Sequence, residues 1–269
     1  LARATGAKCL IHLHIKVENW ISPLTRWVMK RADALVGVSD FVAQSSIAMG
    51  FPANRTYHIL NGMDLAAWNG EADGSAIRSE FQVPADMPLL AAIARVVYYK
   101  GQAELIRAMA KVKQKIPAFK LLIVGEGDQD PAGYPARLKK MVQELGLNDQ
   151  VIFTGYRKDV RQILAACDIF SLPSFEEPFG MVFVEAMAMS KPIAALDNGG
   201  AREIIQHGKS GLLSLPQDIE QLSDNIITLI QNTTLRTQMG SFGKQQVEQY
   251  FNAARMAREF EQLYQRLAQ

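Results

Sequence analysis

From residue 89 onward the sequence alternates short, wholly apolar runs with stripes of apolar residues spaced by three and four. Leu89-Leu90-Ala91-Ala92-Ile93-Ala94 is followed by Leu105, Ile106, Met109, Val112 and Ile116. A run that is apolar at every position suits a strand buried on both faces, and the stripe lines one face of a helix. Pro117 stands just past the stripe, where a helix stops. The cycle then recurs. Leu121 to Val124 precedes a helical face of Leu138, Met141, Val142 and Leu145, closed by Gly146 as a left-handed cap. Val151 to Phe153 precedes Val160, Ile163 and Leu164, and Ile169 to Leu172 precedes a helix from Phe179 to Met189. Pro192 to Leu196 leads to a short helix from Ala201 to Gln206, and Gly211 to Leu213 to helices near 217–231 and 234–249. This repetition predicts βαβ units and a parallel, doubly wound α/β sheet. Ligands bind such sheets outside the carboxyl ends of the strands.

The first part of the chain follows a different plan. Residues 1–60 hold two strand-like runs, Cys9 to Ile15 and Ala34 to Val38, joined by a helix-like Pro23 to Arg31. So few elements cannot cover their own sheet, so this block is expected to be part of a Rossmann-like domain. Residues 61–88, with Asn61-Gly62 and two prolines, read as a hinge or linker. Residues 89–250 read as a complete second Rossmann-like domain. The tail, 251–269, carries Met256, Phe260, Leu263, Tyr264 and Leu267 on one helical face and is expected to cross back onto the first block.

Composition removes several classes. With 48% hydrophobic and 21% charged residues, the chain is neither disordered nor collagen-like. Its 269 residues suffice for one or two domains without a disulfide or metal staple. The 29 basic and 27 acidic side chains leave a net charge of +2, too even for binding that rests on nonspecific attraction to nucleic acid. Cys9 and Cys167 lie far apart in apolar runs and read as buried thiols in a reducing compartment. No zinc-type ligand spacing occurs, and no apolar run approaches the ~20 residues of a membrane span. The opening Leu1-Ala2-Arg3, without Met or a visible signal peptide, suggests a processed chain or a fragment.

The densest group of chemistry-bearing residues is Glu176-Glu177-Pro178-Phe179-Gly180-Met181-Val182-Phe183-Val184-Glu185. It follows a strand and opens a helix, with Pro178 placed where a first-turn proline is tolerated. Gly180 lets a ligand approach the backbone, and the N–H groups of Gly180, Met181 and Val182 offer an anion site. If helical throughout, Glu177 and Glu185 stand roughly 12 Å apart. Glycosidase acid and base sit about 5–5.5 or 6.5–9.5 Å apart, so the pair reads as two jobs at two ends of a long ligand. Alternatively, Glu177 caps the helix and Glu185 pairs with a buried Lys or Arg. Arg95 and Lys100 flank a strand end and suit a pyrophosphate, or else lie on a solvated surface. Gly125-Glu126-Gly127 lacks the third glycine of a dinucleotide fingerprint. Gly199-Gly200 is either an anion loop or simple turn chemistry. His12 and His14 alternate on one strand and face the same side.

Taken in order, these features resemble the retaining glycosyltransferases of family 4, the large group 1 of GT-B enzymes, over nearly the whole chain. Ala94-Arg95 and Lys100-Gly101 resemble the family's arginine and lysine signature, and Leu122 to Gly127 its following strand and loop. Glu177 through Glu185 resembles its Glu-x7-Glu motif. Gly199-Gly200, Glu203, Gly208 and Gly211-Leu212-Leu213 resemble its closing motif. Val38-Ser39 and Asn61-Gly62-Met63-Asp64 resemble the close of an acceptor domain and the entry to a donor domain.

The resemblance implies a GT-B fold with an incomplete acceptor-side domain, 1–60, and a complete nucleotide-sugar donor domain, 89–250. It implies that Arg95 and Lys100 hold the donor diphosphate, Glu177 contacts the transferred sugar and Glu185 the ribose hydroxyls. Backbone groups from Phe179 to Val182 would meet sugar and phosphate, and Tyr156 and Arg157 would lie by the base. His14 aligns with the family's cleft histidine. The implied activity is retaining transfer of a hexose-type sugar from a UDP-, GDP- or ADP-sugar to a saccharide or lipid-linked acceptor, in cell-envelope polysaccharide, lipopolysaccharide or glycolipid synthesis. In the family the acceptor attacks the face the nucleotide leaves, so no protein nucleophile is needed. No metal or other cofactor is expected, and nucleic acid is not a partner. The implied setting is cytoplasmic, with room for peripheral contact at the inner face of the membrane. Family members carry roughly a hundred further N-terminal residues. Two alternatives stand beside this reading: a nucleotide-sugar binder that is catalytically incomplete, and a UDP-sugar 2-epimerase on the same fold.

Overall fold

The computed structural model describes residues 6–19, 21–68, 70, 72–127 and 133–269. The Leu1-Ala2-Arg3 opening lies outside them, as do Asn69 and Glu71 within the segment read as a linker. Among the described residues the strands form two parallel sheets. The first sheet holds β1 (Leu10–Leu13), β2 (Ala34–Gly37) and β3 (Thr56–His58), in that order. Helices α1 (Pro23–Met29) and α2 (Asp40–Ala48) connect them. A third helix, α3 (Ser75–Glu80), precedes the second sheet.

The second sheet is built from β4 (Leu89–Ile93), β5 (Lys120–Val124), β6 (Val151–Gly155), β7 (Ile169–Leu172), β8 (Ile193–Leu196) and β9 (Gly211–Ser214). The intervening helices are α4 (Gln102–Lys115), α5 (Tyr134–Glu144), α6 (Val160–Ala166), α7 (Met181–Ala188) and α8 (Ala201–Ile204). After β9 come α9 (Ile219–Gln231), α10 (Thr233–Tyr250) and α11 (Ala253–Ala268). The strand order is β6-β5-β4-β7-β8-β9, so the order reverses between β4 and β7. That switch point is where a doubly wound sheet opens a crevice.

The apolar runs behave as period-2 strands with two buried faces. Leu89, Ala91, Leu122, Phe170 and Ala195 point into one core, shared with α3, α6, α7 and α8. Leu90, Ala92, Leu121, Ile123 and Ala194 point into the other, shared with α4, α5 and α9. The predicted stripe on α4 faces this second core: Leu105, Ile106, Met109 and Val112 are fully buried. Each such side chain contributes roughly 1.5–3 kcal/mol relative to exposure.

Two sequence expectations need correction. Residues 61–88 do not act as a bare linker. Ile77 and Val83 belong to the first core of the large sheet, and the Arg78 guanidinium bonds Asp168 and the carbonyls of Ala166, Pro84 and Met87. The apolar side chains of α3 find cover against α6, which the proline-rich flanks had hidden. The second correction concerns α7, which starts at Met181 rather than Phe179. Gly180 precedes it in a left-handed conformation, φ 99°, so Pro178 lies in the loop before the helix and not in its first turn.

The chain passes between the blocks twice at one spot. The Met63 N–H donates to the Phe251 carbonyl (2.8 Å) and the Ala253 N–H to the Met63 carbonyl (2.9 Å). Gly62 lies so close that a Cβ would stand 2.5 Å from the Asn252 oxygen. Beyond this crossing α11 lies against the first sheet, where Leu263 is buried with Val36 and Ile59. Among the described residues no helix is long and apolar enough to cross a membrane.

Candidate functional site

The loops leaving β4 and β7 meet in backbone contact at the switch point. After β4 a 3-10 turn, Tyr98–Lys100, ends at Gly101 with φ 73°. A Cβ on Gly101 would stand 1.9 Å from the Pro173 carbonyl oxygen, so only glycine lets the two loops close. The Phe175 N–H donates to the Tyr99 carbonyl (2.7 Å), and buried Gln102 donates to the Arg95 carbonyl (2.9 Å).

This closure sets Lys100 beside Glu177. The Lys100 ammonium donates to Glu177 Oε2 at 2.6 Å, and the Ser174 hydroxyl lies 2.8 Å from the same oxygen. Glu177 is only 7% exposed, so its charge is held by these two donors in place of water. Glu177 therefore does not cap a helix. Arg95 is exposed at the rim and donates to the Tyr99 hydroxyl (2.5 Å).

Both blocks line the cleft in front of this pair, which encloses about 460 Å³. His14 and Lys16 come from the end of β1; Arg95, Lys100, Glu176 and Glu177 come from the large sheet. His14 is exposed there, its ring 4.3 Å from that of His12, which in turn meets Phe260 of α11. Burial, then the neighbouring His14, lowers the pKa of His12. Lys16 bridges the cleft to Glu176 Oε2 (2.6 Å) and also pairs with Glu18. Burial alone would lower the Lys16 ammonium, but its bonds to Glu176 and Glu18 prevail and hold it above its ordinary value. Glu176 adopts a left-handed backbone, φ 49°, which is strained for a residue with a Cβ.

The turn before α7 depends on Gly180. Its φ of 99° disfavours any side chain, and a Cβ would meet the Phe183 ring at 2.5 Å and Glu177 Cγ at 3.1 Å. Phe179 is buried against Phe251, so its backbone rather than its ring is offered to the cleft. The first N–H groups of α7, including those of Met181 and Val182, have no intrahelical carbonyl to bond. Because 177–180 is not helical, a separation of Glu177 and Glu185 based on helical rise does not apply. Glu185 lies mid-helix and half-buried, and no donor or cation bonds its carboxylate among the described residues. Burial raises its pKa. The alternative of a buried basic partner is thus not met.

Two further positions singled out in the sequence are engaged by groups within the protein. Arg157 makes four bonds to carboxylates: Glu80 at 2.5 and 2.9 Å, and Asp159 at 2.9 and 2.7 Å. It ties α3 to the loop after β6. Tyr156 remains available, 64% exposed, with its N–H on Glu126 Oε1. Gly199 and Gly200 are not an open anion loop either. Cβ atoms there would stand 2.7 Å from the Glu177 carbonyl and 2.6 Å from the Pro178 carbonyl, and the Gly200 N–H donates to the Glu177 carbonyl (2.7 Å).

Sequence reading passed over Ser174 and Lys16, and gave Glu176 no role of its own within the motif. A hydroxyl three residues before a buried glutamate is the local signal for Ser174. Lys16 and Glu176 meet only through the fold, so nothing in either segment signals their pairing. Among the described residues no cluster of three His, Cys, Asp or Glu could hold a metal ion.

Comparison with known proteins places the chain in a family. Residues 74–246 match the family described as glycosyl transferases group 1. The chain is 26% identical over 244 residues to N-acetyl-alpha-D-glucosaminyl L-malate synthase of Bacillus anthracis, covering 91% of this chain and 62% of that protein. It is 28% identical over 260 residues to a GDP-mannose-dependent monoacylated alpha-(1-6)-phosphatidylinositol monomannoside mannosyltransferase of Corynebacterium glutamicum, covering 91% and 67%. The chain thus spans about two thirds of the length of these relatives. Among solved structures it resembles HepE of Anabaena in complex with UDP and glucose, with TM-score 0.88 and 28% identity over 98% of this chain and 73% of that one.

Proposed function

Since the chain belongs to the group 1 glycosyl transferases, on the GT-B fold, we propose that it binds a nucleotide diphosphate sugar in the cleft and transfers the sugar, a hexose, with retention to a saccharide or lipid-linked acceptor. The observation that carries the reading is the Lys100–Glu177 pair at the switch point, its carboxylate buried, in a cleft that Arg95 also lines. Arg95 and Lys100 meet the diphosphate and offset the charge that grows on it as the sugar departs. Fixed cations in a partly desolvated cleft stabilise such a transition state more than water would. Glu177 turns its carboxylate to the sugar hydroxyls once phosphate takes over Lys100. The backbone of 179–182 receives sugar and phosphate at the start of α7.

Glu185 is the ribose partner in this reading. A half-buried carboxylate with no protein donor is completed by two hydroxyls of a ligand, which explains why it is tolerated among apolar neighbours. Tyr156 borders the base, and Arg157 acts by holding that loop in place. His14 reaches the sugar from the acceptor side. The arginine and lysine carry the positive charge, so no metal ion is called for. UDP, GDP and ADP all remain candidate carriers, and the HepE complex puts UDP first among the probes.

A thermal-shift panel of UDP, GDP and ADP with their common sugars tests the reading. A ligand at 100 times its dissociation constant stabilises by about 2.7 kcal/mol, a rise of about 5–10 °C for a chain of this size. The rise should be selective for one base and lost in Glu185→Ala. Release of free nucleotide, with and without acceptor, then separates a transferase from a binder. A folded protein that shifts with none of the three nucleotides would overturn the proposal.

A further inference from the structure

The motif residues Ser39 and Glu203 are not explained by the donor site, yet they join the two blocks directly behind it. Both carboxylate oxygens of Glu203, in α8, accept backbone N–H groups at the start of α2: Oε2 from Asp40 (2.7 Å) and Oε1 from Phe41 (2.8 Å). The first N–H groups of a helix lack intrahelical partners and carry the positive end of its dipole, so a carboxylate is the group that suits them. Ser39, fully buried, caps the same helix by accepting from the Val42 N–H (3.1 Å), and its hydroxyl donates to the Pro178 carbonyl (2.5 Å). Pro178 immediately follows Glu177, whose own carbonyl accepts from Gly200. Three segments therefore share one set of bonds: the start of α2, the 177–180 loop and the glycine pair that leads into Glu203.

We propose that Glu203 and Ser39 are positioning residues that fix the 177–180 loop by docking it on α2, so that Glu177 meets the sugar in one orientation only when the two blocks are engaged. The donor-transfer part of this statement rests on the function proposed above. The docking part does not, and can be tested without any ligand. Loss of the Glu203 carboxylate frees the Asp40 and Phe41 N–H groups and releases the loop on the far side of the contact. The loop and the glycine pair are coupled through backbone atoms, the Gly200 N–H on the Glu177 carbonyl, and Gly199 and Gly200 leave no room for side chains between them.

The experiment is hydrogen–deuterium exchange on the full chain, comparing wild type with Glu203→Gln and Ser39→Ala. Glu203→Gln keeps the shape of the side chain but sets an amide N–H against a backbone donor. The expected result is faster exchange at residues 40–42 and, with it, at 177–181 in both variants, while exchange in β4 and β5 stays as in wild type. Faster exchange confined to 40–42 would reduce Glu203 to a helix cap and overturn the proposal. If Glu203→Gln does not fold, Ser39→Ala decides by the same comparison. With a donor identified, Glu203→Gln should lower the transfer rate about a hundredfold, the cost of a small misplacement, while the donor dissociation constant moves less than about twofold. An equal loss in both would assign Glu203 to the donor and overturn a positioning role. Absence of nucleotide binding by wild type would count against the proposed function and leave the exchange result standing.

Discussion

Lys100 and Glu177 stand 77 residues apart in sequence and 2.6 Å apart in space, joined across the ends of two adjacent strands. The carboxylate is almost wholly buried, so the pair resists separation: removing the cation strands a charge. Lys100→Met should cost about 3 kcal/mol of stability. Glu177→Gln in the same background should recover most of that loss, because the stranded charge is gone. Urea denaturation of the four proteins measures the coupling, which should reach about 1–3 kcal/mol. Additive losses would mean that the two side chains do not depend on each other.

Gly101 and Gly146 both have positive φ, 73° and 65°, and they separate backbone conformation from close approach. Nothing lies within 4 Å of a Cβ on Gly146, so Gly146→Ala should cost about 1–2 kcal/mol from conformation alone. Gly101→Ala adds a collision with the Pro173 carbonyl and should cost at least about 1 kcal/mol more. It should also weaken nucleotide binding, since Lys100 precedes it. Denaturation midpoints and calorimetric titration with the selected nucleotide check the two parts.

Glu185 makes a pH prediction whose sign is opposite to that of most carboxylates. Its pKa is raised in the folded protein, so the folded state holds the proton over a pH range in which the unfolded chain has released it. Stability then falls as pH rises from the unfolded value through the raised one, and levels off above it. Glu185→Gln should melt higher than wild type at pH 7, with the difference closing toward pH 4. A melting series across that range tests it. The same variant should bind nucleotide more weakly, having lost an acceptor oxygen for ribose.

Arg157 supports the opposite pH behaviour. Its bonds hold Glu80 and Asp159 below their ordinary pKa values, chiefly through direct hydrogen bonds from the guanidinium. The stability they contribute is present above the ordinary carboxylate range and lost as pH falls through the lowered values. The groups are partly exposed, so Arg157→Ala should cost on the order of 1 kcal/mol or less at pH 7. Nucleotide affinity should be nearly unchanged in this variant; a large loss at constant stability would show that Arg157 reaches the ligand after all.

The large sheet was legible because its apolar runs and stripes follow two clean periods, and every residue in Leu89-Leu90-Ala91-Ala92 is buried. The places of Lys100, Glu177 and Glu185 at strand ends and on one helix were legible for the same reason. The start of α7 was not, because Pro178 satisfies a general preference at helix starts while Gly180 alone sets the local φ. The commitments of Arg157 and of the glycine pair depend on α3 and on the 176–179 backbone, neither adjacent in sequence. Contacts of this kind are written in side chains on separate elements, with no period to reveal them.

The paired crossing at Met63 and Asn252 limits how the cleft can work. A single covalent strand between two bodies would act as a tether and allow them to swivel and drift. Two passages bonded side by side, with Gly62 pressed against Asn252, leave far less of that freedom. The join between the blocks is thus made twice at one place, by backbone groups on both passages, and the Lys16–Glu176 bridge closes on the cleft side of the same two blocks.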